Sequence, residues 1–246
     1  MIRNRKTQLV VALDVDNFKE AVGLIDLLGN HVDIFKVGSQ LFTICGPMIV
    51  RYIQSQGKKV FLDLKFHDIP NTVGSAIASC VDLSLPAYND VVKKGKDYQS
   101  LFMCNVHTMG GLEMMTKAVE MAAQRAQAIK VSKPLIIGVT VLTSDAKTEN
   151  IEKIVLERAT LAKKAGLDGV VASVHEAALI RKELGEDFVI VTPGIRPAGS
   201  SVNDQKRVAT PKDAVKSGTD FIVVGRPVIE AQRPVEVVQN ILKDLS

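Results

Sequence analysis

Three charged side chains and a histidine lie close together in the stretch DLKFHDIPNT, which runs from Asp63 to Thr72. The stretch begins inside VFLDLKF, an apolar run typical of a buried strand. Because strand side chains alternate between two faces, Phe61, Asp63 and Lys65 are expected to share one face. Unpaired charges at the end of a buried strand cost on the order of several kcal/mol each, so this acid and this amine must pair or do chemistry.

Two interpretations fit an acid and an amine at such a position. One is a structural ion pair at a strand end, and the other is a reactive site. Asp68 adds a third charge within one turn of chain after Lys65. This third charge favours the reactive site.

Length and composition limit the class of protein. With 246 residues, 46% of them hydrophobic and 24% charged, the chain fits one barrel-sized domain or two small ones. The net charge of +4 is spread along the chain, and only three Tyr, eight Phe and no Trp are available for base stacking. We therefore expect no nucleic-acid partner, whereas a small anionic substrate suits the mild basic excess.

Three cysteines, Cys45, Cys80 and Cys104, lie far apart and without CxxC spacing, which predicts neither a disulfide framework nor a zinc site. They are expected to be reduced core residues. The basic start MIRNRK precedes only a short apolar run that ends at Asp14, too short for a signal peptide or a membrane span. We expect a cytoplasmic protein with no membrane partner.

Short apolar runs alternate with longer helical patterns along the chain, which is typical of strand and crossover-helix units around a parallel sheet. The predicted strands are Gln8 to Leu13, Val32 to Val37, Lys59 to Leu64, Leu101 to Val106, Leu135 to Val139, Gly169 to Ala172, Phe188 to Val191 and Phe221 to Val224. Amphipathic spacing predicts helices between them, for example from Asn150 to Ala165 and from Pro234 onward. Eight such units in about 250 residues predict an α/β fold of the (β/α)8 TIM barrel type, in which residues 1–246 form a single domain, rather than an open doubly wound sheet.

Two segments break this rhythm. Residues 83–100 are longer and more polar than a helix-to-strand turn needs, which predicts an insertion, either a loop or a short extra helix. Residues 196–206 are rich in Gly, Pro and Ser, which predicts a mobile lid loop on the phosphate side.

Polar residues collect where the predicted strands end, and the carboxyl ends of barrel strands carry the catalytic groups in this fold. They are Asp14, Lys36, Asp63, Lys65, Asn105, His107, Thr140, Thr143, Ser144, Thr192, Gly194, Arg196, Gly225 and Arg226. Taken singly, Asn105, His107, Thr140 and Thr192 are better explained as strand caps or solvated turns. Their convergence on one end of the barrel nevertheless predicts a site there.

The end of the eighth strand, VVGRPV, predicts a phosphate site. Loops after strands seven and eight of such barrels often bind phosphate through backbone N–H groups. Gly225 allows close backbone approach, and Arg226 supplies a planar, permanently charged donor. Gln205 and Arg196 from the preceding lid could contact the same phosphate. The alternative interpretation is that VVGRPV forms a plain turn without a ligand.

Five motifs together resemble the orotidine 5'-phosphate decarboxylase family in its bacterial, single-function form. They are DLKFHDIPNT, LDVD at the first strand, FKVG at the second, VTVLTS at the fifth and VVGRPV at the eighth, so the resemblance covers nearly the whole chain. The DxKxxD core alone is shared with a wider group that includes 3-keto-hexulose-phosphate decarboxylases. The full string with IPNT is specific to the orotidine phosphate enzymes.

The resemblance implies a role for each matching residue. Lys65 would be the catalytic proton donor, Asp63 would lie beside the scissile carboxylate, and Lys36 would link the charged network to the ribose. Asp68 and Thr72 would reach into the neighbouring subunit's site, which implies a homodimer with two shared active sites. Asp14 would bind the ribose, Thr143 or Ser144 would contact the pyrimidine, and the phosphate would be held by Arg196, Gln205, Gly225 and Arg226. Ile69 would be a further substrate-binding residue.

The implied reaction is the decarboxylation of orotidine 5'-monophosphate to uridine 5'-monophosphate and CO2, the last step of de novo pyrimidine biosynthesis, with no metal or other cofactor. Loss of CO2 leaves a carbanion at C6, which a network of alternating charges would stabilise and protonate. The members of this network would be Lys36, Asp63, Lys65 and Asp68.

Two rival functions use the same fold. A sugar-phosphate decarboxylase of this group uses a divalent metal and a second-strand glutamate, where this chain has Lys36. A non-catalytic phosphosugar-binding barrel would need only the phosphate loop, whereas this chain also retains the charged residues.

Overall fold

A computed structural model of the chain describes residues 6–85, 100–142, 150–197 and 209–246. The strands are β1 (Gln8–Ala12), β2 (Ile34–Gly38), β3 (Lys59–Phe66), β4 (Met103–His107), β5 (Leu135–Val139), β6 (Gly169–Val171), β7 (Val189–Thr192) and β8 (Phe221–Val224). The helices are α1 (Phe18–Leu28), α2 (Ser39–Cys45), α3 (Pro47–Ser55), α4 (Pro70–Asp82), α5 (Gly111–Ile129), α6 (Ile151–Lys164), α7 (Val174–Leu184), α8 (Pro211–Lys216), α9 (Arg226–Ile229) and α10 (Pro234–Asp244).

The eight strands pair in chain order and close on themselves, since β1 also pairs with β8, and every pair is parallel. This confirms the predicted (β/α)8 barrel. Each strand differs from its predicted range by at most two residues at either end. The helix predicted from Asn150 to Ala165 is α6, and the last helix begins at Pro234 as expected.

Two apolar layers hold the barrel together. The side chains that fill its interior are Val10, Ile34, Phe61, Met103, Ile137, Val189, Val191 and Phe221. A larger layer packs the outer face of the sheet against the helices. Because the interior is filled by side chains, a ligand can be bound only at an end of the barrel, and in this fold that is the rim at the carboxyl ends of the strands.

The pairing of β3 with β4 is irregular near the carboxyl ends of these strands. Leu62 pairs with Cys104, but the next paired residues are Phe66 and Val106, so β3 has two more residues than β4 in this interval. Lys65 lies inside the irregular stretch and has a backbone φ of 50°. Such bulges redirect side chains, and they are common next to active sites.

Several predicted features lie wholly or partly outside the described residues. Of the predicted insertion 83–100, only residues 83–85 and Ser100 are described, and of the predicted lid 196–206 only Arg196 and Pro197 are. No helix in the described parts of the chain combines the length and apolarity that crossing a membrane requires.

The three cysteines carry free thiols. Cys80 and Cys104 are buried as predicted, and burial raises the pKa of the Cys80 thiol to about 12 and that of Cys104 well above its usual value. Cys45 is only partly buried.

Candidate active site

Four charged side chains from the first three strands form a chain of alternating sign at the rim of the barrel. Lys36 Nζ lies 2.9 Å from Asp14 Oδ1 and 3.4 Å from Asp63 Oδ2. Lys65 Nζ lies 2.7 Å from Asp63 Oδ1. The order is therefore Asp14, Lys36, Asp63, Lys65, and each interior member contacts an opposite charge on both sides.

Burial differs along this chain of charges. The side chains of Lys36 and Asp63 are only 10% and 12% exposed, whereas those of Asp14 and Lys65 are 46% and 40% exposed. The buried pair is compensated by the outer members, and the outer members keep contact with solvent. An ammonium group is thus fixed at one end of the network while it remains accessible to a ligand.

The Asp63 carboxyl group is held in its ionised form. Burial raises its pKa, but the charges of Lys36 and Lys65 and the hydrogen bonds from Lys65 and Asn105 outweigh burial and leave the pKa below its usual value of 3.8. Asp63 is therefore an anion at neutral pH, and it cannot act as a general acid.

A cavity of about 220 Å³ opens beside these charges. Its walls come from most strands of the barrel, and they are Ala12, Asp14, Lys36, Phe61, Asp63, Lys65, Val139, Val141, Leu142, Val171, Val191, Pro193, Gly194, Arg196, Val223, Gly225 and Arg226. Valines from β5 to β8 make one side apolar, while carboxylates, ammonium groups and guanidinium groups make the rest polar. The cavity therefore suits a flat ring carrying anionic groups.

Gly38 leaves room for the Lys36 ammonium group at the end of β2. A Cβ at this position would lie 3.1 Å from Lys36 Nζ and 3.4 Å from Asp14 Oδ1. A larger residue would therefore crowd the ion pair, which explains on steric grounds why glycine ends the FKVG motif.

The side chains of β3 share faces as their alternation predicts. Phe61, Asp63 and Lys65 all line the cavity, as the shared face predicted. The same cavity wall contains Gly225 and Arg226 after β8 and Arg196 after β7. The Arg196 residue is buried, and its backbone N–H donates to Ala209 O over 2.9 Å.

Other predicted site residues lie away from this cluster or outside the described residues. Asp68 is exposed, and its Oδ1 accepts a hydrogen bond from Ile69 N over 2.6 Å. Among the residues that the structure describes, no ion pair joins Asp68 to the cluster, in which Asp14 is the fourth member. Ile69 is 66% exposed, and Thr72 is exposed in the first turn of α4. The predicted contacts Thr143, Ser144 and Gln205 lie outside the described residues.

Asn105 differs from the expectation that it caps a strand or lies in a solvated turn. It is completely buried inside β4, its Nδ2 donates to Asp63 Oδ1 over 2.7 Å, and its Oδ1 accepts from Lys65 N over 2.8 Å. The signal available in the sequence was a polar residue at a strand position next to the DLK strand.

Of the other three strand-end residues, Thr140 and Thr192 are completely buried and not in solvated turns, whereas His107 caps the turn after β4 as expected. Thr140 Oγ1 donates to Val171 O over 2.7 Å, and Thr192 Oγ1 lies 3.0 Å from Thr219 Oγ1. His107 Nδ1 accepts from Met109 N at the start of a 3-10 turn.

Comparison with known proteins identifies the family. Residues 7–241 match the model of the "Orotidine 5'-phosphate decarboxylase / HUMPS family". Orotidine 5'-phosphate decarboxylase of Geotalea daltonii is 44% identical over 98% of this chain and 96% of its own length, and that of Legionella pneumophila is 44% identical over 97% and 99%.

Solved structures agree with the sequence matches. The crystal structure of orotidine 5'-phosphate decarboxylase from Lactobacillus acidophilus has a TM-score of 0.77 and 32% identity, covering 98% of this chain and 99% of that one. The enzyme from Pyrococcus horikoshii has a TM-score of 0.73 and 26% identity, covering 97% and 99%. On its sequence and its barrel, the chain belongs to the orotidine 5'-phosphate decarboxylase / HUMPS family.

Proposed function

We propose that the protein converts orotidine 5'-monophosphate to uridine 5'-monophosphate and CO2, the last step of de novo pyrimidine biosynthesis. The observation that carries this proposal is the Lys65 ammonium group, held 2.7 Å from the anionic Asp63 at the wall of a cavity that also contains Arg196 and Arg226. The cavity can take both a pyrimidine ring and a phosphate. The names of the relatives that are 42–44% identical support the same reaction.

In the proposed reaction the bond between C6 and the carboxylate breaks, CO2 leaves, and the electron pair stays on C6. Lys65 then transfers one proton from its ammonium group to C6 and becomes a neutral amine, which regains a proton from solvent. Its cationic charge stabilises the carbanion before the proton moves. Asp63 orients the Lys65 ammonium group, Lys36 balances the Asp63 charge from the other oxygen, and the step is proposed without a metal.

The anionic Asp63 would also lie beside the substrate carboxylate. Two like charges at close range disfavour the bound ground state, and loss of CO2 relieves this repulsion. Asp63 therefore has two roles in the proposal, which are to orient Lys65 and to oppose the carboxylate.

The rest of the nucleotide would be bound by residues away from the reacting carbon. Asp14 and Lys36 would bind the ribose hydroxyls, since the exposed Asp14 carboxylate reaches the cavity. Thr143 or Ser144 would contact the pyrimidine. The residues proposed to bind the phosphate are Arg196, Gln205, Gly225 and Arg226.

We further propose a cytoplasmic homodimer in which each site is completed by Asp68, Ile69 and Thr72 of the partner. What supports this is their placement, because all three are exposed and do not reach the cluster of their own chain. Ile69 is 66% exposed and Met109 is 60% exposed, and large apolar side chains at the barrel rim are typical of a surface that another subunit covers.

One experiment separates the proposed reaction from its rivals. Purified protein is given orotidine 5'-monophosphate, with and without excess chelator, and the loss of substrate absorbance is recorded. We expect turnover that is unchanged by the chelator. A metal-dependent sugar-phosphate decarboxylase would lose activity in chelator and act on a 3-keto-hexulose phosphate, and a binding protein would show nucleotide affinity without turnover.

The second strand already argues against the metal-dependent rival. That reaction uses a glutamate where this chain has Lys36, and the Lys36 ammonium group contacts both Asp14 and Asp63. The Lys36 ammonium group already balances the charge of both carboxylates, so they need no metal cation for that purpose.

A further inference from the structure

We propose that Asn105 is a positioning residue for the decarboxylation, which holds the proton donor Lys65 in a left-handed backbone conformation and orients the Asp63 carboxylate with the same side-chain amide. This inference rests on the proposed function, in which Lys65 delivers the proton. It concerns a residue that contacts no cavity surface and acts only through its two neighbours on β3.

The amide of Asn105 uses its donor and its acceptor on two different catalytic groups. Nδ2 donates to Asp63 Oδ1 over 2.7 Å, and Oδ1 accepts from Lys65 N over 2.8 Å. Only this orientation of the amide is possible, because the carboxylate can only accept and the backbone N–H can only donate. Asn105 is 0% exposed, so no water can replace either bond without a rearrangement.

The backbone of Lys65 needs such support. Its φ of 50° lies in the left-handed region, which is unfavourable for a residue with a Cβ. The ladder between β3 and β4 omits this position, since the pairing passes from Leu62 directly to Phe66. The Lys65 N–H instead donates to the Asn105 side chain. This hydrogen bond stabilises the left-handed conformation of Lys65, which regular pairing of β3 with β4 would not allow.

The same amide also sets the direction of the Asp63 carboxylate. Oδ1 receives Asn105 Nδ2 and Lys65 Nζ, each over 2.7 Å, while Oδ2 faces Lys36 Nζ at 3.4 Å. Asn105 thereby fixes the orientation of the Asp63 carboxylate between Lys36 and Lys65. Loss of the amide would free the carboxylate to rotate and the Lys65 ammonium group to leave C6.

The alternative is that Asn105 only fills the gap between β3 and β4, in which case its loss would reduce stability and leave the chemistry intact. Two substitutions of similar size separate the two roles. Asn105→Leu removes both hydrogen bonds. Asn105→Asp restores them only when the new carboxyl group is protonated, because the neutral acid has one O–H donor and one carbonyl acceptor in the places of the amide.

We expect Asn105→Leu to lower kcat by roughly a hundredfold or more, with KM and the affinity for uridine 5'-monophosphate changed less than about threefold. In Asn105→Asp the new carboxyl group and Asp63 lie within hydrogen-bond distance and share one proton, since two adjacent carboxylates cannot both ionise easily. Relative to Asn105→Leu, which has no such carboxyl group, the activity of this variant should therefore rise as the pH falls from about 8 to about 6.

Other charged and titratable groups near this site are Lys36, Lys65 and Asp14 on the neighbouring strands, and the His67 and His107 rings, whose centroids are 5.5 Å apart. Their titration is common to all variants, so the Asn105→Leu profile serves as the baseline. Thr7→Val is the matched stability control, because it deletes a buried 2.8 Å hydrogen bond to Thr219 O at the opposite end of the barrel. It should lower the unfolding midpoint without changing kcat.

A wild-type kcat in folded Asn105→Leu, or an Asn105→Asp pH profile parallel to that of Asn105→Leu, would overturn the inference. Should Asn105→Leu not fold, the pH profile of Asn105→Asp is compared with that of the unmodified protein, and parallel profiles would overturn the inference. Failure of the proposed function is a different result, in which the unmodified protein does not decarboxylate the nucleotide or Lys65→Ala retains full turnover.

Discussion

Lys65 and Arg226 line the same cavity but are expected to act at different stages of the reaction. Lys65→Ala removes the proton donor and the cation nearest the carbanion, so kcat should fall by at least about a thousandfold, in the range typical of a lost general acid. The affinity for uridine 5'-monophosphate, measured by titration, should stay within a few-fold of the unmodified protein. Normal turnover in this variant would show that the proton comes from another group.

Arg226→Ala should show the converse pattern. A charge-assisted hydrogen bond to phosphate is worth roughly 1.5 to 3 kcal/mol, which corresponds to a rise in KM of about ten- to a hundredfold. Steady-state kinetics with Arg226→Lys as the conservative control would measure this. If uridine binds the unmodified protein and Arg226→Ala equally well, whereas uridine 5'-monophosphate binds Arg226→Ala more weakly, the contact is to the phosphate.

The lowered pKa of Asp63 links stability to acid pH. Its folded pKa lies below the usual 3.8, so the unfolded chain takes up a proton first as the pH falls. The ionised carboxylate therefore contributes stability that is complete above the unfolded pKa and is lost as the pH falls through the folded pKa. Asp63→Asn lacks this contribution, so its urea midpoint should fall less between about pH 5 and about pH 3. Parallel midpoint curves would contradict the assignment.

At the level of strands, glycines mark where two backbones approach closely. A Cβ on Gly169 in β6 would overlap the backbone oxygen of Val189, so Gly169→Ala must push β6 away from β7. We expect a loss of roughly 1 to 3 kcal/mol in unfolding free energy, measured by urea denaturation. Gly23→Ala is the control, because nothing lies within 4 Å of its Cβ and alanine favours the interior of α1 by roughly 0.5 to 1 kcal/mol.

The strands show what the sequence could and could not predict. Apolar runs and alternation predicted all eight strands and the shared face of Asp63 and Lys65, because both follow from local periodicity. The irregular pairing at Lys65 and the buried amide of Asn105 depend on how two strands distant in sequence align. No local pattern encodes that alignment, so the sequence alone predicts only a cap or turn residue at Asn105.

The network was predicted with Asp68 as its fourth member, whereas Asp14 occupies that place within the chain. The spacing DxKxxD placed Asp68 near Lys65 along the sequence, but the chain turns at the end of β3 and directs Asp68 outward. The parallel pairing of β1 with β2 instead brings Asp14 to Lys36.

At the scale of the whole molecule, the outward position of Asp68 makes the sharing of sites between two subunits testable. Asp68→Ala should lose most activity if its carboxylate completes the partner's site. Mixing it with inactive Lys65→Ala after dissociation should then restore activity, because a hybrid dimer contains one site with both residues intact. With random pairing, half of the dimers are hybrids with one working site each, so about a quarter of the original activity should return.

The matched control mixes Lys65→Ala with Lys36→Ala, whose missing side chains belong to the same half of each site. Both sites of that hybrid stay damaged, so no activity should return, although its subunits exchange to the same extent. Asp68 has one local partner, the Ile69 N–H at 2.6 Å, and a residue that only shaped this turn would act within its own chain. In that case the mixture of Asp68→Ala and Lys65→Ala would show no more activity than the two variants measured separately. Each barrel would then contain a complete active site of its own.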